Sequence, residues 1–139
     1  MSHALRRDAA IWPVRQICRF TVAGIWFYQG LVPKLLGPHR DELAMAAAFG
    51  LPSNLQAAAS YAAGGAEILL GLFILALPRH AWPQLVSAVI TAALLAFVIL
   101  YAPVYLVAAF NPVVMNAGSI ALSVIAVLLM RSEANDGSP

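Results

Sequence analysis

Apolar residues fall into four long runs along the chain, and each run is bounded by proline, glycine or a capping residue. The first covers about 13–36: Trp12-Pro13 opens it, Gly37-Pro38 closes it, and Pro33 sits in its last turn. A proline there removes a backbone donor and turns Val32 away from helical geometry, so a kink is expected. The second run, about 54–77, follows Ser53-Asn54-Leu55-Gln56, which has the spacing of a capping box, and stops before Pro78. The third, about 83–102, ends ahead of Pro103. The fourth, about 112–130, begins at Asn111-Pro112, an N-cap residue with proline at the first helical position. A helix needs ~20 apolar residues to cross a ~30 Å hydrocarbon layer, and every run is long enough. The pattern predicts an all-α membrane protein, a four-transmembrane-helix bundle at 13–131. A cytoplasmic N-terminal segment at 1–12 precedes it and a disordered polar tail at 132–139 follows.

Between the first two runs, His39-Arg40-Asp41-Glu42 leads into apolar Leu43 to Phe49, then Gly50 and Pro52. Acids in the first turn and a glycine stop predict a short interfacial helix at the outer surface, too short to cross. It either hides helix ends or covers a site opening toward the outer face.

Composition points to the same solvent. Of 139 residues, 62% are apolar and 10% charged, with a mean hydropathy of +0.83, whereas soluble domains run at about 45–50% and about 25%. Eight bases against six acids leave no footprint for nucleic acid. With Cys18 as the sole cysteine, an internal disulfide, a C-x-x-C pair, covalent haem attachment and a thiolate cluster are excluded. His3, His39 and His80 lie outside the runs, so haem held by two histidines in the bilayer is not expected either. No metal site and no intrinsic cofactor is expected.

Arg6, Arg7, Arg15 and Arg19 precede or open the first run, Arg79 lies between the second and third, and Arg131 follows the fourth. Lys34 and Arg40 alone fall on the other side. This asymmetry predicts both termini in the cytoplasm of a bacterial-type inner membrane. A basic front also suits a signal peptide, but Trp26, Tyr28 and Gln29 interrupt the apolar stretch and no small-residue cleavage site precedes Lys34. The run is read as retained.

Glu67 is the residue that most needs a reason. At 1.5 Å per residue it lies about 20 Å from one end of its run and about 15 Å from the other. An acid near the midplane costs ~2.5–3.5 kcal/mol to insert and is expected to face protein or trapped water. Ser60, Gly64, Glu67 and Gly71 share one face of the second helix. Similar seams occur as Gln84, Ser87 and Thr91, as Asn116, Ser119 and Ser123, and as Thr21, Gly24 and Tyr28 with Gln29 beside them. Such seams tighten helix packing, or they line a polar interior for a ligand or proton. Lys34, the sole lysine, is the obvious ion-pair partner for Glu67 but sits nearer the outer boundary unless the kink at Pro33 brings it lower, so Gln29, Tyr28 and Asn116 are the expected direct hydrogen-bond partners. Neutral partners would favour a protonated carboxyl. Trp12, Trp82, Tyr101, Tyr105 and Phe110 fall at run ends as headgroup anchors. Trp26, Phe27 and Tyr28 either pack or flank a flat ring.

Trp26-Phe27-Tyr28-Gln29-Gly30-Leu31-Val32-Pro33-Lys34, the His39-Arg40-Asp41-Glu42-Leu43 block, Gly64-Gly65-Ala66-Glu67 with Gly71, and Asn111-Pro112 with Asn116 resemble the DoxX-like family of small four-helix membrane proteins. The resemblance runs from about Arg19 to Met130. That family takes its name from the small subunit of a thiosulfate:quinone oxidoreductase. The resemblance implies an accessory or quinone-linked subunit of a redox system rather than a self-sufficient enzyme, with an oxidoreductase partner and a quinone ligand as options; a homo-oligomer is a separate open option. Glu67 is the candidate proton site, and Tyr28, Gln29, Lys34, His39 and Asn116 are the candidate binding residues. Two other functions stay open: a small proton-coupled transporter, which would need dimerisation with sites near the midplane, and an assembly or stability factor without chemistry.

Overall fold

An apolar chain in lipid satisfies its backbone polar groups within helices. The computed structural model describes residues 3–107 and 112–136, and all regular structure among them is helical. Helix α1 spans His3–Gly30 and continues into a π-helical turn, Leu31–Leu35; α2 spans Arg40–Ala48 and α3 Ser53–Ala76. Helix α4 spans Trp82–Tyr101, a 3-10 turn covers Pro103–Val107, and α5 spans Pro112–Asp136.

Several boundaries differ from expectation. Helix α1 begins ten residues early, because Leu5-Arg6-Arg7 and Ala9-Ala10 are strong helix formers that extend it ahead of Pro13. Residues 132–136 prolong α5 instead of forming a loose tail, and an ion pair from Arg15 to Glu133 at 2.8 Å ties them to α1. Pro33 falls in the π-helical turn. Lacking an N–H, it sits inside a widened turn in which the Leu36 N–H donates to the Leu31 carbonyl at 2.9 Å. The capping box does not form: Pro52 is the cap residue of α3, and the Gln56 amide donates to the Leu51 carbonyl at 3.0 Å. The Asn111 cap, Phe110 and residues 137–139 lie outside the described residues. The short helix α2 falls where the sequence puts it, flanked by Gly37 (φ +126°) and Gly50 (φ +92°), conformations that favour glycine.

Among the described residues, three helices, α3, α4 and α5, are both long and apolar enough to cross a membrane. The first run falls short by this measure because Arg15, Gln16, Arg19 and Gln29 dilute α1. Helix α1 nevertheless packs between α3 and α5, α4 packs on α5, and α2 lies over α3 and α4. Val22, Ala23, Trp26, Leu70 and Ile74 form the core. Large apolar side chains such as Leu72, Val89, Leu100, Val114 and Leu128 point outward, the arrangement of a protein solvated by lipid.

The seams of α3 and α4 are buried as their spacing predicts, as are Ser119 and Ser123 on α5, while Asn116 is half-buried. That of α1 is not. Thr21, Gly24 and Tyr28 face outward, and the inward face is Cys18, Val22, Ala23, Trp26, Gly30 and Lys34. Helix α1 is apolar on most sides, so spacing alone does not select its buried face. Its contact with α3 is close: a Cβ on Gly30 would lie 2.5 Å from the Gly64 carbonyl oxygen, and one on Gly64 would lie 2.7 Å from that of Gly30. Bare backbone meets bare backbone there, which only small residues permit.

Candidate functional site

The glycine crossing fixes the geometry of the site. One turn beyond Gly30, the π turn carries Lys34, and its stem reaches down beside Gly64 to Glu67 on the next turn of α3. The Lys34 Nζ lies 3.1 Å from Glu67 Oε2 and 3.2 Å from Glu42 Oε1 on α2. It also donates to the Gln29 carbonyl at 3.5 Å. All three charged side chains are largely buried, at 10% (Lys34), 11% (Glu67) and 19% (Glu42) exposure. Buried charges are costly unless paired, and here one ammonium serves two carboxylates. A π turn widens a helix and is frequent at functional sites.

The sequence expectation for Glu67 is thus corrected. Its direct partner is Lys34, not Gln29, Tyr28 or Asn116. Gln29 instead makes a long contact from its amide to the Met115 sulfur, at 3.4 Å. Tyr28 is 62% exposed on the outer side of α1 and does not line the site. Counting depth along straight helices ranked Lys34 behind the neutral partners, because it could not register the close crossing of α1 and α3.

Above the pair opens a cavity of about 620 Å³. That falls within the ~300–1,000 Å³ range of small-molecule sites. Lys34, Glu42 and Glu67 lie in its wall with Gln29, His39 and Asn116, so four of the five candidate binding residues share one space with the candidate proton site. Trp26, Phe49, Phe97 and Tyr105 supply aromatic surface. The Ser60 and Ser119 hydroxyls, both deeply buried, face it without a hydrogen-bond partner, and Glu67 Oε2 contacts Lys34 as an ion pair without a directed hydrogen bond.

Helix α2 forms the cover. His39 is its cap, with Nδ1 accepting from the Asp41 N–H at 3.3 Å, so His39 has a structural task at the rim. The Tyr105 hydroxyl donates to Asp41 Oδ1 at 3.2 Å. Burial, then the neighbouring Asp41 carboxylate, push the Tyr105 phenol up from its ordinary value and keep it a donor. Phe49 at the far end of α2 packs on Phe97 and Tyr101, ring centroids 5.7 Å from each. Tyr101 and Tyr105 therefore hold the cover down as well as lying at a helix end. Trp82 is exposed at the start of α4, as an anchor would be, whereas Trp12 is exposed within α1, which begins at His3.

Sequence reasoning missed Glu42 as a partner; of Trp26, Phe27 and Tyr28, the aromatics that either pack or flank a ring, Trp26 lines the cavity. The Trp26 N–H donates to Ser87 Oγ at 2.8 Å, and Ser87 shares a hydrogen bond with Ser123 at 3.1 Å, which ties α1, α4 and α5 together beneath the cavity. The polar seams of α4 and α5 were the available signal for this. No group of three or more histidine, cysteine, aspartate or glutamate side chains suited to a metal occurs among the described residues.

A family model described as the DoxX-like family matches residues 23–124, which include every residue of the cavity. No curated protein and no solved structure matches the chain.

Proposed function

Since the chain belongs to the DoxX-like family, we propose that this multi-pass membrane protein holds a small ring-bearing amphiphile in the cavity over Lys34 and Glu67. In this reading it is an accessory subunit of a redox system, a quinone is the first ligand to test, and Glu67 is the group that accepts and returns a proton. The observation carrying the reading is a ligand-sized space with a buried carboxylate and ammonium on its floor, aromatic walls, and unpartnered hydroxyls at Ser60 and Ser119. A headgroup with carbonyl oxygens would find donors in Lys34 and the serines.

The same reading takes α1 as a fourth span. It also takes Arg15, Arg19, Arg79 and Arg131, which lie toward one end of the bundle, as the cytoplasmic side of an inner membrane, with both termini there. Titration of the purified chain with a short-tailed quinone tests the ligand. Saturable quenching of Trp26, lost in Trp26→Phe and weakened about tenfold in Glu67→Gln, is expected. Quenching no greater than in empty micelles would contradict it.

A second reading, a small proton-coupled transporter acting as a homo-oligomer, is favoured by one feature. Lys34 is shared between a carboxylate of the cover helix and one of the bundle, so any movement of the cover would change its partners. Solute flux in reconstituted vesicles, abolished by Glu67→Gln, would distinguish this reading from the first.

A further inference from the structure

The charges around the cavity do not balance, and the imbalance has a sign. Its wall holds three carboxylates against the ammonium of Lys34, and no arginine among the described residues: Glu42 and Glu67 are largely buried, whereas Asp41 is exposed and lies 3.4 Å from His39 Nδ1. His39 stands at the rim with its Nδ1 engaged as an acceptor. Lys34 neutralises one carboxylate and is shared by two, which leaves a surplus negative charge in a largely buried place. Further acceptors face the same space: the Ser60 and Ser119 oxygens are unpartnered. Four aromatic residues complete the wall, and aromatic faces attract cations, more strongly when these are desolvated.

We propose that the cavity takes a lipophilic organic cation, a positive charge carried on an apolar, ring-bearing body, and discriminates against an anion of the same shape. The inference rests on the reading of the cavity as a ligand site and names the charge of its ligand. The cation meets the surplus carboxylate directly and lays its apolar body against Trp26, Phe49 and Phe97. A neutral quinone fits the same volume but leaves that charge to a proton. An anion adds like charge to a net-negative wall, an arrangement that costs binding wherever water is scarce.

Tetraphenylphosphonium and tetraphenylborate form the probe pair, since they share size and shape and differ in sign. Equilibrium dialysis of each against the purified full chain in detergent micelles, corrected for empty micelles, should give saturable phosphonium binding and borate binding at least about tenfold weaker. Glu42→Gln, which leaves the Lys34–Glu67 pair in place, should weaken phosphonium binding about tenfold while thermal unfolding certifies the fold. Borate binding as tight as phosphonium, or phosphonium binding unchanged in a folded Glu42→Gln, would overturn the inference. So would the absence of saturable phosphonium binding. In that case a quinone that still quenches Trp26 would preserve the ligand site and remove only its cationic selectivity, whereas loss of both would remove the site itself.

Discussion

Lys34 is the only lysine in the chain, and the protein hides it between two carboxylates. Removing one member of a buried pair is far more harmful than the worth of the pair suggests, because an uncompensated charge remains. The two sides are unequal here. Lys34→Gln strands Glu42 and Glu67 together and is expected to destabilise by about 3–5 kcal/mol. In Glu67→Gln, Lys34 keeps Glu42, and an amide fills the space of a carboxyl, so a loss of about 1 kcal/mol is expected. Reversible unfolding of the two single variants and the double variant in mixed micelles gives the coupling, and the double variant should lose less than the sum. Small, equal and additive losses would mean that the pair is not formed. A side-chain role confined to packing would also show the same cost in both singles.

At the scale of elements, the crossing of α1 and α3 decides where these residues meet. Gly64→Ala would drive a methyl against the Gly30 carbonyl oxygen at 2.7 Å and the Lys34 Cβ at 2.9 Å. Overpacking of this kind costs about 1–3 kcal/mol, and parting the helices should also weaken the Lys34–Glu67 contact. Gly24→Ala, on the same pair of helices but facing open space, should be neutral or slightly stabilising in the same thermal unfolding measurement. Equal effects at the two positions would remove the crossing from the account.

This contrast also marks what a reader of the sequence could see. Ser60, Gly64, Glu67 and Gly71 announce a buried face because polar and small residues stand out against leucine and alanine. The inward face of α1 is built largely from residues no more conspicuous than their outward neighbours, and Thr21, Gly24 and Tyr28 drew the eye to the wrong side. The length and end of α2 follow from its acids and its glycine. Its contact with Lys34 depends on how the chain folds back after the π turn, a tertiary matter that no local pattern encodes.

For the whole molecule, lipid takes the place that water has around a soluble bundle. Leucine, valine and isoleucine cover the outside, while serine, glutamine, threonine and a charged triad are drawn inward. The central claim is that this interior is a wet, charged cavity under α2, and thiol accessibility tests it most directly. Ala63 lines the cavity and Ala62, its neighbour at nearly the same depth, is exposed on α3 outside it. Only a thiol in contact with water ionises and reacts with a water-borne reagent. In a Cys18→Ser background within lipid vesicles, Ala63→Cys should be modified by a membrane-impermeant thiosulfonate and Ala62→Cys should not. Equal reaction at both sites, or reaction at Ala62→Cys alone, would contradict the cavity and with it the role given to Lys34 and Glu67.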